Sequence, residues 1–260
     1  PGNDGATVSV RWGLASVYGL IVFGWAGLFA LHASHPTGPL LGALDPGYVA
    51  QPFGAWCLTF GPVDAFGRLA PMWLLMSAAM MLPTALPFSG TYQELLRHAG
   101  RPYRAPTAAL VAGYLGVWAL FSLAAAIAQV MLAGWSVLSP AGVLISKPLA
   151  GALLLAAGLY QFSPWKTRAL ALCEQPMRFL FSRWREGHAG AAAMGWYQGL
   201  VCLQCCWALM LLAFVAGTMN LVWMAVATVL MVAEKWGAPF VRPLIGIALI
   251  AAGGYSLGLG

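Results

Sequence analysis

The chain has 260 residues, of which 61% are hydrophobic and only 8% are charged, and its formal net charge is +6. So few charged side chains cannot cover the surface of a water-soluble globule of this length, which excludes an ordinary soluble domain. The basic balance does not indicate nucleic acid, because most of the 13 Lys and Arg residues flank apolar runs on one side.

Apolar stretches along the chain predict an all-α protein, a polytopic bundle of about seven transmembrane helices in one membrane domain covering residues 1–260. Each stretch is close to the length of about 20 residues that crosses a hydrocarbon core of about 30 Å. They stay apolar on every face, whereas the strands of a membrane barrel alternate polar and apolar residues. The predicted spans lie near residues 12–32, 69–89, 106–134, 142–162, 190–216, 219–235 and 238–259.

Positive charge between the spans sets the predicted orientation. Basic clusters occur at 97–104, 166–185 and 235–242, and an even number of predicted crossings separates them, so they share one side. The positive-inside rule makes that side cytoplasmic. The prediction is therefore a multi-pass protein of a bacterial inner membrane, with its N-terminus in the cytoplasm and its C-terminus outside.

Two segments between the predicted spans have features of their own. The outer loop, residues 33–68, is rich in proline and contains an apolar stretch that is too short to cross a membrane, so that stretch is expected to be interfacial or re-entrant. The cytoplasmic segment 163–190 mixes apolar and basic residues. It predicts an amphipathic helix that lies at the lipid headgroups and is broken at Pro176.

The fifth predicted span carries the pattern most typical of a functional site. Cys202, Cys205 and Cys206 fall within about 100° of arc on a helix, and Met210 extends their stripe by one turn. Thiolates and thioethers are soft donors that favour Cu(I), although thiolates also hold Zn(II) and iron–sulfur clusters. These four residues are therefore predicted metal ligands. The alternative is ordinary packing, because small side chains let membrane helices approach closely.

Donors from a second helix are needed, because neighbouring residues on one helix rarely complete a coordination shell. The second predicted span offers Met72, Met76 and Met80, which recur every four residues and form a thioether stripe. Met76 and Met80 are predicted to supplement the cysteines, and the stripe is expected to face protein instead of lipid. Methionine is also an ordinary filler of helix contacts, so packing remains the alternative for this stripe too.

Several motifs jointly carry a family resemblance. They are MMLPTALP at 80–87, GYLGVW at 113–118 followed by Phe121, Ser122 and Gln129, YQFSPWK at 160–166, Cys173 with Pro176, CLQCCWALM at 202–210, and MNLVWM at 219–224 leading to Glu234 and Lys235. Over roughly residues 70–250, the chain resembles a bacterial family of uncharacterised integral membrane proteins predicted to bind metal. The resemblance implies membrane location and metal binding. The family pattern has an Arg-His pair where this chain has Tyr197 and Gln198, and a carboxamide is a poorer ligand than an imidazole.

The first hypothesis for function is a membrane protein that binds a soft metal, Cu(I) above all, in metal handling or metalloprotein assembly. The second is a non-catalytic accessory subunit that binds membrane-protein partners through its aromatic faces. The third is a small-solute or ion transporter, whose path only Gln129, Lys147, Gln161 and Glu234 are available to line. No motif of a hydrolase, ATPase or dehydrogenase is present, so no enzymatic activity is predicted. The expected partners are the lipid bilayer and other membrane proteins, not nucleic acid.

Overall fold

The computed structural model describes residues 62–139, 142–218, 220–235 and 240–258, together with Val22, Trp25 and Ala26. The described part is helical and contains no β-strand, only an isolated bridge between Leu138 and Leu144. The predicted all-α class is therefore confirmed. The helices are α1 (Pro62–His98), α2 (Arg104–Gly134), α3 (Lys147–Gln161), α4 (Pro164–Glu174), α5 (Pro176–Arg183), α6 (Gly187–Leu211), α7 (Ala213–Ala216), α8 (Leu221–Lys235) and α9 (Val241–Gly258).

Four stretches of the described chain are long and apolar enough to cross a membrane. They are Ala65–His98, Arg104–Gly134, Gly187–Ala216 and Val241–Gly258. The spans predicted at 142–162 and 219–235 correspond instead to α3 and α8, which have 15 residues each. At 1.5 Å per residue such a helix is about 22 Å long, short of a hydrocarbon core of about 30 Å. The described residues thus support four candidate spans, not seven, and the span predicted at 12–32 lies largely outside them.

The segments between the predicted spans are more helical than the sequence suggested. Helix α1 begins at Pro62, so residues 62–68, predicted as outer loop, belong to a helix of 37 residues. The rest of that loop lies outside the described residues. The predicted break at Pro176 is confirmed, since α4 ends at Glu174 and α5 starts at Pro176. Proline is favoured at the first position of a helix, where its missing N–H is not needed.

Helices α2 and α6 pack with their backbones in close approach. A Cβ atom on Gly195 would collide with the carbonyl oxygen of Leu110, and one on Gly113 would collide with that of Ala192. Only glycine allows two helices to come this near at these two positions. The contact fixes the face of α6 that carries the cysteines against α2.

Replacing Gly195 by Ala is expected to lower the free energy of unfolding by about 1–3 kcal/mol, because the added methyl group meets backbone that cannot rotate away. Chemical unfolding in detergent micelles measures the change. The matched control is Gly67→Ala, since a Cβ atom there has nothing within 4 Å. Equal stability of the two variants would show that α2 and α6 are not in backbone contact.

The main hydrophobic core includes residues of α1, α2, α6 and α8, and it contains both the predicted methionine stripe of α1 and the three cysteines of α6. Met72, Met76 and Met80 are 2%, 1% and 3% exposed, so the prediction that this stripe faces protein is confirmed. A smaller core forms where α5 packs on α1, with Phe179 and Phe88 in edge-to-face contact. These contacts bring α5 onto the protein itself. The predicted location of segment 163–190 at the lipid headgroups remains a prediction.

Candidate metal centre

One face of α6 carries a compact group of thiols, Cys202, Cys205 and Cys206, called here the cysteine triad. Their sulfur atoms all lie within 4.8 Å of one another, and none of the three residues is more than 2% exposed. The Sγ atoms of Cys205 and Cys206 are 3.3 Å apart. The prediction that these side chains point into the helix bundle is therefore confirmed.

Cys202 is the point where other helices reach the triad. The hydroxyl of Tyr114 on α2 lies 3.0 Å from its Sγ atom, and the hydroxyl of Thr84 on α1 lies 3.8 Å away. Lys235 on α8 donates a hydrogen bond of 2.9 Å to the same sulfur. The prediction that the triad lies within a few Å of a donor from another helix is therefore confirmed at Cys202, but the donor atoms there are oxygen and nitrogen, not the sulfur of a methionine.

Lys235 places a cation inside the protein at the triad. Lys235 is 8% exposed, and its ammonium forms no ion pair with a carboxylate among the residues that the structure describes. A buried charge is very unfavourable unless it is paired and hydrogen-bonded. The sulfur of Cys202 is its hydrogen-bond acceptor, and a thiolate there would supply the missing negative charge. The side chain of Lys235 is thus a buried partner of the triad and not a solvent-exposed flanking charge, while the cytoplasmic location of the cluster 235–242 stays a prediction.

The neighbouring residue on α8 forms a second buried electrostatic contact. Glu234 receives two hydrogen bonds from the ammonium of Lys166 on α4, of 3.1 and 2.9 Å, one at each carboxylate oxygen. The two side chains are 2% and 1% exposed. This ion pair attaches the end of α8 to α4, and so holds Lys235, the next residue, in place beside Cys202.

The predicted thioether ligands are buried in the same core as the triad, but each lies at least one helical turn away from the level of the triad and its contacts. Met210 follows Cys206 by four residues, which is about 6 Å along α6. On α1, Thr84 is the residue that contacts Cys202. Met80 lies four residues before Thr84, and Met76 lies four residues before Met80. The three methionines are at most 3% exposed. Their role as ligands stays a prediction, whereas the three cysteines are already together.

A fourth thiol next to the triad was not among the predicted ligands. Cys173, near the end of α4, is partly buried against the main core, and its side chain is close enough to Cys205 to interact with that thiol. The amide nitrogen of Gln198 donates to its Sγ atom over 3.7 Å. Cys173 occurs in the family motifs, but nothing in its spacing places it near 202–206. Only the packing of α4 along α6 reveals it.

The four polar residues considered for a transport path do not form one group in the structure. Gln129 accepts a hydrogen bond from Trp73 and donates one to Thr218, and Glu234 is paired with Lys166. Lys147 and Gln161 are the first and last residues of α3, about 21 Å apart along the helix. Their positions give no support to a continuous polar path.

In a comparison with protein families, the chain matches the model of the PpoB2 family, which is described as a copper chaperone. The match spans residues 70–256 and includes the triad, Cys173 and Lys235; of the helices α1 to α9 it leaves out only the first eight residues of α1 and the last two of α9. No curated protein and no solved structure matches the chain.

Proposed function

Because the chain belongs to the PpoB2 copper chaperone family, we propose that it binds Cu(I) as cargo at the cysteine triad and passes it to a copper-requiring partner in the same membrane. The observation that carries this proposal is the set of three buried thiols within 4.8 Å of one another. Sulfur donors of this kind select Cu(I) over the harder divalent metals. Met210, Met80 and Met76 are proposed as supplementary thioether donors.

The charges around the triad are compatible with a buried Cu(I) site. The ammonium of Lys235 and the copper ion would each carry one positive charge, so two thiolates are enough to make the site neutral. Neutrality matters because an uncompensated charge at 1–2% exposure is strongly unfavourable. The hydroxyls of Tyr114 and Thr84 also lie within hydrogen-bonding distance of the Cys202 sulfur.

The proposed setting is a bacterial inner membrane. It is supported by four helical stretches of membrane length and by large apolar side chains that remain exposed on each of them. On α2 these include Leu120 and Ile127, and on α9 they include Leu244 and Ile247. Exposed apolar surface of this extent on a helix is typical of contact with lipid or with another membrane protein. The partner that receives copper is therefore proposed to be a membrane protein.

The metal content of the native chain tests the proposed function. Protein purified in detergent without oxygen is expected to hold about one copper per chain, bound to sulfur because the triad offers only soft donors. Elemental analysis gives the stoichiometry, and X-ray absorption at the copper edge identifies the ligand atoms. A chain that neither contains copper nor takes it up from Cu(I) solutions would refute the proposal.

We also expect segments 97–104 and 166–185 to face the cytoplasm and residues 36–64 to face the opposite side, following the positive-inside rule. An ion pair of 2.8 Å between Arg101 and Glu186 supports a common side for the two basic segments. Because one candidate span, Arg104–Gly134, separates these segments, the part of the chain that contains α3 must return across the membrane, although α3 itself is short. Single cysteines at Thr37 and Arg101 test this orientation, with accessible native cysteines replaced by Ser. In intact cells, an impermeant maleimide should label the first and spare the second. The reverse labelling pattern would mean that the orientation is inverted.

A further inference from the structure

Helix α4 differs from the helices that enclose the triad. It has 11 residues, carries Lys166 and Arg168, and is not among the candidate spans. It nevertheless lies along α6 and delivers Cys173 to the edge of the triad. Cys173 is partly exposed, whereas the three triad cysteines are at most 2% exposed. It is therefore the most accessible of the four described thiols.

Gln198 links this thiol to the triad. It lies one turn before Cys202 on α6, is 5% exposed, and uses its amide nitrogen to contact Cys173 over 3.7 Å. Its side-chain oxygen has no hydrogen-bond partner. Leaving a buried acceptor unsatisfied is unfavourable by about 1–3 kcal/mol, so such groups are retained where a water or ligand visits. The side chain that contacts Cys173 therefore carries an unused buried acceptor one turn before Cys202.

Building on the proposed function, we propose that Cys173 is the exchange ligand through which Cu(I) reaches and leaves the cysteine triad. A thiolate ligand of another protein cannot reach copper that is bound by three cysteines which are almost fully buried. Copper would instead bind first to Cys173 at the exposed edge and then move to Cys205, the triad thiol with which the Cys173 side chain interacts. Departure of copper follows the same steps in reverse.

Each step is a ligand substitution that leaves copper as Cu(I). The bond from copper to Cys173 forms as the bond to the incoming thiolate breaks, and the bond to Cys205 forms as the bond to Cys173 breaks. The proton of the Cys173 thiol passes to water at the exposed edge when copper binds, and the proton of the Cys205 thiol passes to the Cys173 thiolate when copper moves on. No oxidant or reductant is required. The proposed orientation places this exchange on the cytoplasmic side, since α4 belongs to segment 166–185.

The test compares copper content with the rate of copper release. Detergent-purified wild type and Cys173→Ser are loaded with Cu(I) and mixed with the Cu(I) chelator bicinchoninate, whose copper complex is followed by absorbance. We expect both proteins to bind the same amount of copper, and the variant to release it about tenfold more slowly or worse, since a barrier increase of about 1.4 kcal/mol suffices for this. Cys173→Met, which keeps a soft sulfur donor, is expected to restore part of the rate.

Ala171→Ser is the matched control, because it adds a hydroxyl to an exposed position of the same helix. It should release copper at the wild-type rate. Unchanged release from Cys173→Ser would overturn the inference, and so would a loss of copper from that variant, which would make Cys173 a permanent ligand. Wild-type protein without copper would overturn the proposed function as well, so the two failures are distinguishable.

Discussion

Replacing Cys202 and Cys206 together by Ser is expected to abolish copper binding while largely sparing the fold. Serine has nearly the same shape as cysteine, and its hydroxyl can keep the contacts that Cys202 makes with Tyr114 and Lys235. Its oxygen is a hard donor and binds Cu(I) poorly. With one thiol left in the triad, no buried pair of thiolates remains. Elemental analysis gives the copper content, and circular dichroism the helical content.

Ala208→Ser is the control for this experiment, because it places a new hydroxyl at a buried position two residues further along α6. It should retain the full copper content of the wild type. If the double serine variant binds as much copper as Ala208→Ser, the triad is not the copper site. The thiols would then be part of the core packing, the alternative that the sequence leaves open.

The triad itself could be predicted from the sequence because its geometry is local. Residues 202, 205 and 206 share a face on any regular helix, and the apolar run around them makes a helix the expected structure. The burial of Met72, Met76 and Met80 followed from the same periodicity. The break between α4 and α5 followed from the backbone chemistry of Pro176.

The residues around the triad were beyond the reach of the sequence because they depend on contacts between distant segments. Lys235 is the last residue of its helix and resembles a charge that flanks a membrane span, yet it lies buried against Cys202. Cys173 is 29 residues from Cys202 along the chain, and its place at the triad depends on how α4 packs on α6. Local periodicity carries no information about either contact.

The number of spans within the described residues was overestimated for a different reason. Hydropathy measures how apolar a stretch is, and both 142–162 and 219–235 are apolar throughout most of their length. It does not measure where the helix begins. The hydroxyl of Ser146 caps α3 by accepting a hydrogen bond from the N–H of Leu149, and Asn220 accepts one from the N–H of Trp223 at the start of α8. Both helices start within the predicted spans, so the remaining length is 15 residues each.

Replacing Glu234 by Ala is expected to lower the free energy of unfolding by about 3–5 kcal/mol, because it leaves the ammonium of Lys166 buried without its partner. The two side chains are 1% and 2% exposed, so water cannot take the place of the lost carboxylate. Unfolding of the detergent-solubilised protein by denaturant measures the change. The matched control is Glu174→Ala, which removes an exposed carboxylate and should change stability by no more than about 0.5 kcal/mol.

A second variant distinguishes two causes of the expected loss of stability, the broken ion pair and the lost side-chain volume. In Lys166→Met with Glu234→Leu, both charges are removed together and apolar groups of similar size fill the space. Such a replacement is often neutral or stabilising, so the double variant should be more stable than Glu234→Ala alone. If instead Glu234→Ala unfolds like Glu174→Ala, water or lipid headgroups must reach Lys166. The end of α8, and with it Lys235, would then lie at the surface instead of beside Cys202.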